Sequence, residues 1–229
     1  MATDPIATAA FKANPVTFLG GNMILPPIGN ALRHSRSEHL GLAATAFNGT
    51  TTPGGLAIPV WQVSKAPKGE AYFRSYIADY EQGATTFTML GANEHAEFCF
   101  TANMNGCTFG LGIQAGDGTL IVSHGNAANT GLRQNYDSSA IGPVGLLSPG
   151  KTAMQNALQL SRALAGHGPG GRVFEPEHYR FTNRLSVTFG YRPRVGPGNW
   201  TFYFINYTRA GLQVVSYGVQ PMPTNSLTI

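Results

Sequence analysis

Cys107 and His124 are the two side chains of this sequence whose types and spacing could do chemistry together. Attack of sulfur on a carbonyl needs a thiolate, a histidine that takes and returns a proton, and backbone donors for the oxyanion. The stretch Thr101-Ala-Asn-Met-Asn-Gly-Cys107, followed at His124 by Ser123-His124-Gly125-Asn126, offers all three. Gly106 lets the chain ahead of Cys107 turn with no Cβ in the way, as an oxyanion pocket built on the Cys107 N–H requires. An ordinary cysteine, of pKa about 8.5, is only a few per cent thiolate at neutral pH, and pairing with an imidazole lowers that to about 3.5–7.5. The histidine must therefore stand beside the sulfur.

A hairpin can place it there. Two β segments, Thr108–Gln114 and Thr119–Ser123, flank Ala115-Gly116-Asp117-Gly118, a strong turn signal. If Gly116-Asp117 is the loop, residues whose numbers sum to 233 lie opposite each other. Phe109 then faces His124, and Cys107 is one diagonal step away on the same face. If Asp117-Gly118 is the loop, the sum is 235 and the separation along the strand grows to roughly 13 Å. Thr101 shares the strand face of Cys99 by parity, so its hydroxyl is placed to orient a ring nitrogen of His124 and fix the tautomer. The competing reading makes Cys107 a buried small hydrophobe and His124 a polar strand-edge residue. Cys99, between Phe98 and Phe100, reads as a packed hydrophobe.

The elements around this pair are mostly strands. Residues 1–55 are interrupted by Pro5, Pro15, Pro26, Pro27 and Pro53 and by seven glycines, which reads as a loop-rich entry segment with a short helix around Ala31–Ala44. Leu56–Val63 reads as a strand, and Tyr72, Phe73, Tyr76, Ile77 and Tyr80 form a helical stripe over Gly69–Tyr80. Ala84–Leu90 and Ala96–Ala102 are strands. Ser148-Pro149 caps a helix carrying Ala153, Ala157, Leu160 and Leu164, which the glycine-rich run Gly166–Gly171, with His167 in it, terminates. Leu185–Tyr191 alternates like a half-buried strand, Trp200–Ile205 is apolar on both faces like a central one, and Leu212–Val219 closes the set. The expected fold is α+β: a single domain built on a β-sandwich of mixed strands with two or three flanking helices, residues 56–229 forming the catalytic part.

Composition narrows the function classes. Charged residues make up 11% of the 229 residues and hydrophobic ones 42%, which excludes a disordered chain. No apolar run approaches the roughly 20 residues of a membrane span. Met1–Phe11 has neither the basic nor the apolar region of a secretory leader. Residues 133–229 carry 9 Lys/Arg against 3 Asp/Glu, but eight of the nine are isolated arginines, a solvated face and not a nucleic-acid footprint. His34, Glu38 and His39 lie beside Arg33 and Arg36 and read as surface, with no metal site.

The motif Asn105-Gly106-Cys107-Thr108 with Ser123-His124-Gly125-Asn126 resembles the Cys–His core of the glutamine deamidases that include the catalytic domain of cytotoxic necrotizing factors, Burkholderia lethal factor and the chemoreceptor deamidase CheD. The spacing of Thr101, Cys107 and His124, six and then seventeen residues, is similar to the CheD pattern. Asn105 stands where that group more often has serine. The resemblance implies a bacterial toxin or effector, secreted or translocated into a host cytosol. It would act, without metal or cofactor and as a monomer, on an exposed glutamine of a host protein, with Cys107, His124 and Thr101 as the catalytic set. The alternative is a non-enzymatic β-sandwich binding module, an adhesin or carbohydrate binder, using Trp61, Trp200 and the tyrosines as contacts.

Overall fold

Two Asx-Pro pairs start the first two elements. Asp4 accepts from the amides of Ile6 and Ala7 at 2.9 and 2.8 Å and Asn14 from that of Thr17 at 3.0 Å, each followed by a proline at the first helical position. They open α1 (Pro5–Ala13) and α2 (Pro15–Leu19). The computed structural model describes residues 2–26, 37–51, 54–67, 69–79, 84–91, 95–104, 107–126, 167, 171–174, 185–193 and 199–222.

The strands among these residues are β1 (Met23–Leu25), β2 (Glu38–Ala44), β3 (Asn48–Thr50), β4 (Ala57–Ile58), β5 (Val60–Lys65), β6 (Phe73–Ala78) and β7 (Thr85–Leu90). They continue with β8 (Phe98–Thr101), β9 (Thr108–Leu111), β10 (Leu120–Gly125), β11 (Arg172–Phe174), β12 (Leu185–Tyr191), β13 (Thr201–Ala210) and β14 (Gln213–Pro221). One sheet has ten strands in the order β1-β5-β2-β6-β8-β12-β13-β14-β3-β4, and a second has four in the order β11-β9-β10-β7. The larger sheet is mixed, with parallel pairs β1·β5, β6·β8 and β14·β3. Its two ends approach each other: β4 runs through Pro59 straight into β5, so the sheet curls toward a barrel. Gly49 is needed at that closure, because a Cβ there would meet Val60 Cγ2 at 2.5 Å and the Ile58 carbonyl at 2.6 Å. The molecule is an α+β domain of packed sheets with two short helices among the described residues.

Two cores result. One lies under α1, where Phe11 stacks on Phe98 with ring centroids 5.0 Å apart and also meets Phe73 and Phe189. Two hydrogen bonds lock that helix to β2: Asp4 N–H donates to the Leu42 carbonyl at 2.6 Å, and Leu42 N–H donates to the Thr8 side-chain hydroxyl at 3.0 Å. The second core fills the space between the sheets. Tyr76, Cys99, Phe202 and Phe204 of the large sheet face Leu90, Phe109, Leu111 and Val122 of the small one. The candidate residues sit in this second layer.

Several sequence expectations change here. Glu38–Ala44, expected within a helix, is strand β2, and residues 31–36 lie outside the described residues. Phe73–Ala78, expected within a helical stripe, is strand β6. The apolar run Phe73, Tyr76, Ile77, Ala78 is buried on both sides of a central strand, a pattern that a short window does not separate from one helical face. The expected strand Leu56–Val63 divides at Pro59, which has no N–H to give a ladder. Residues 1–55 supply α1, α2 and β1–β3, and Phe11, Ile24, Leu40 and Leu42 of that segment are buried in the core under the helices. The helix expected after Pro149 lies outside the described residues.

Because the Phe11 ring is fully buried among five other aromatic rings, Phe11→Ala should destabilise by about 3–5 kcal/mol. Urea unfolding checks this through a lowered midpoint at unchanged slope, and a shift below about 1 kcal/mol would mean the helix is not part of the cooperative unit.

Candidate active site

The hairpin that carries the pair turns at Ala115–Gly118. Gly118 N–H donates to the Ala115 carbonyl at 2.8 Å, which makes Gly116-Asp117 the central turn residues, and Gly118 follows with φ +86°. Asp117 stiffens the turn by accepting from the Thr119 amide at 2.8 Å, a bond that also holds its carboxyl below the usual range. A one-residue slip beside the turn, between the Ala115–Thr119 and Gly112–Ile121 bonds, is absorbed before the ladder begins. From there His124 lies opposite Phe109, Ser123 opposite Gly110 and Gly125 opposite Thr108, the 233 register. Cys107, two residues before Phe109 and buried in the same interlayer cluster, is the diagonal neighbour of His124, at roughly 7–8 Å between backbones. A thiol and an imidazole are long enough to close that gap.

His124 is fully buried, and its Nδ1 lies 3.1 Å from the Ala78 carbonyl oxygen. A carbonyl only accepts, so Nδ1 carries the proton in the neutral ring and the lone pair is on Nε2. This is the tautomer a general base needs. Ala78 ends β6, and two devices hold it in place. Its strand pairs in parallel with β8, Ala78 lying beside Thr101, and Thr86, directly opposite His124 on β7, donates its hydroxyl to the Asp79 carbonyl at 2.6 Å.

Thr101 has another partner than the ring. Its hydroxyl donates to the Thr188 carbonyl at 3.2 Å and accepts from the Thr188 amide at 3.0 Å, stitching the end of β8 to β12. The group on the ring is the carbonyl of the residue beside Thr101, and sequence reasoning had no route to it, since every residue type carries a carbonyl. Cys99 lies in the same layer, and burial pushes its thiol well above the ordinary cysteine range, which fits a packed apolar role. Gly106 and residues 127–166 lie outside the described residues.

His167 is the residue that the sequence treated only as part of a helix terminator. Its Nε2 lies 2.8 Å from Ser123 Oγ on the outer face of the small sheet, and its ring meets Phe87 edge-on at 5.6 Å. A Cβ at Gly110 would come within 2.8 Å of that ring, and one at Gly112 within 3.1 Å, so the two glycines are the footprint of the imidazole. The alternation Phe109-Gly110-Leu111-Gly112 was the available signal. Burial lowers the His167 pKa to about 4.

That depression has a sign. Between about pH 6.5 and 4 the unfolded chain binds a proton at this residue and the folded chain does not, so stability is lost as pH falls through that window. Urea midpoints should therefore decline from pH 7 to pH 4.5 in the wild type and decline less steeply in His167→Gln. Equal slopes would show that the ring is solvated.

No family model matches this sequence, and no curated protein does either. Among solved structures the chain is similar to the C-terminal domain of CNFy from Yersinia pseudotuberculosis, at 11% identity and a TM-score of 0.43, over 95% of this chain and 97% of that one.

Proposed function

We propose that this chain is a cysteine-dependent amide hydrolase that converts a glutamine side chain on a partner protein to glutamate, with Cys107 as nucleophile and His124 as acid and base. The observation that carries the reading is the Ala78 carbonyl on His124 Nδ1, which sets the neutral ring with its lone pair on Nε2, one diagonal step from Cys107. Nε2 takes the thiol proton, and sulfur bonds to the amide carbon. The resulting imidazolium returns the proton to nitrogen as the C–N bond breaks and ammonia leaves. Water then attacks the thioester, giving its proton to His124, and the thiolate departs to leave a carboxylic acid. The sum is amide plus water to acid plus ammonia. Thr101 is a positioning residue in this scheme, acting through β8 on the neighbouring Ala78.

The resemblance of residues 101–126 to glutamine deamidases supports a folded protein as the substrate and a toxin or effector role in a host cytosol. Of the contacts the binding-module alternative would use, Trp200 is buried between the sheets under the Arg192 guanidinium and Trp61 is half-buried with its Nε1 donated to Asn22 at 2.8 Å, while Tyr72 stays exposed.

Incubation with a host-cell lysate tests the reading. A target protein should change mass at one glutamine, by the exchange of an amide for an acid, with its backbone intact. Cys107→Ser and His124→Ala should each lower that conversion by several orders of magnitude, whereas Cys99→Ser should alter stability more than turnover. Target fragments would indicate a protease, an added amine a transglutaminase, and full activity in Cys107→Ser would remove the nucleophile.

A further inference from the structure

Ser186 and Asn206 present buried polar atoms to the layer between the sheets with no hydrogen-bond partner among the described residues. Ser186 Oγ and Asn206 Oδ1 are both enclosed and unbonded, although Ser186 is 0% and Asn206 5% exposed. They are direct cross-strand neighbours on β12 and β13. Their parity is that of Thr188, Phe202 and Phe204, so both project into the layer between the sheets, on the side of Cys107 and not of α1. Leaving such groups unmet opposes folding, and native proteins keep few of them without a use.

The backbone ties this pair to the nucleophile. Met104 and Ser186 exchange both their bonds, at 2.8 and 3.1 Å, and the Thr188 hydroxyl donates to Met104 Sδ at 3.3 Å. Asn103 Oδ1 accepts from the Tyr207 hydroxyl on the next strand. Cys107 is three residues past Met104, a span of at most roughly 11 Å. A second chain of contacts runs from the other side. Phe204, two residues before Asn206, packs its ring 4.5 Å from Phe174, and Phe174 pairs with Phe109, two residues after Cys107. Phe109, Phe174 and Phe204 are apolar neighbours on that side of the layer, and Ser186 and Asn206 add unpaired polar atoms to it.

We infer that Ser186 and Asn206 are the specificity residues of this site and select a primary carboxamide over a carboxylate. The inference rests on the proposed amide hydrolysis and names the group by which its substrate is recognised. Asn206 Oδ1 accepts from the NH2 of the substrate, and the Ser186 hydroxyl donates to its carbonyl oxygen. Once the amide has become a carboxylate, the Asn206 acceptor faces a second acceptor and the product is expelled.

Iodoacetamide and iodoacetate test this without the target protein. Both alkylate a thiolate by forming an S–C bond as iodide leaves, and they differ in carrying a carboxamide or a carboxylate. In the wild type, acetamide should slow alkylation of Cys107 by iodoacetamide, and acetate at equal concentration and ionic strength should not. The iodoacetamide-to-iodoacetate rate ratio at Cys107 should fall about three- to tenfold in Ser186→Ala and in Asn206→Leu. The acetamide arm decides the matter if Asn206→Leu fails to fold. Rapid alkylation with unchanged ratios and no protection by acetamide would overturn the specificity role alone. A Cys107 that neither reagent modifies would overturn the proposed nucleophile, and this inference with it.

Discussion

The hydrogen bond from His124 to the carbonyl of Ala78 joins the two sheets, and the candidate chemistry depends on it. His124 belongs to β10 of the small sheet and Ala78 to β6 of the large one, so the tautomer of one ring is fixed by how the layers pack. Side-chain pairs such as a carboxylate and a histidine carry their own chemistry wherever they meet. A carbonyl orients a ring only if its strand is held in position, and here the β6·β8 pairing, the Thr101–Thr188 bonds and the Thr86–Asp79 bond all serve that end. The aromatic cluster under α1 braces the far face of the same strands through Phe73, Phe98 and Phe100.

The register that sets His124 opposite Phe109 was legible because a hairpin converts spacing into geometry. Once the turn residues are known, the register follows by arithmetic, and the slip beside Gly118 does not disturb it beyond Gly112. What orients the ring was not legible, because it comes from a strand forty-six residues away and from an atom that every residue has. Thr101 came close: the carbonyl on the ring belongs to its neighbour across β6 and β8.

The misread elements share a cause. Ser75–Ala78 and Leu40–Ala43 are buried on both faces in the interior of a ten-stranded sheet, so they lack the alternation that marks a half-solvated strand. Leu185–Tyr191, expected as a half-buried strand, is a strand buried on both faces, and what marked it in the sequence was the alternation of large apolar residues with Ser186, Thr188 and Gly190. His167 shows the converse limit. Its partner Ser123 and its footprint on Gly110 and Gly112 lie some fifty residues away along the chain, and only the two glycines hint that something sits against that face.

The most direct test of the central claim is the rate at which iodoacetamide modifies Cys107 at pH 7 in folded wild-type protein and in folded His124→Ala, read site by site by mass spectrometry. The account predicts fast modification of Cys107 in the wild type, at least about tenfold slower modification without the imidazole, and an unmodified Cys99 in both. Equal rates at Cys107 in the two proteins would contradict it, because the histidine would then have no hold on the sulfur.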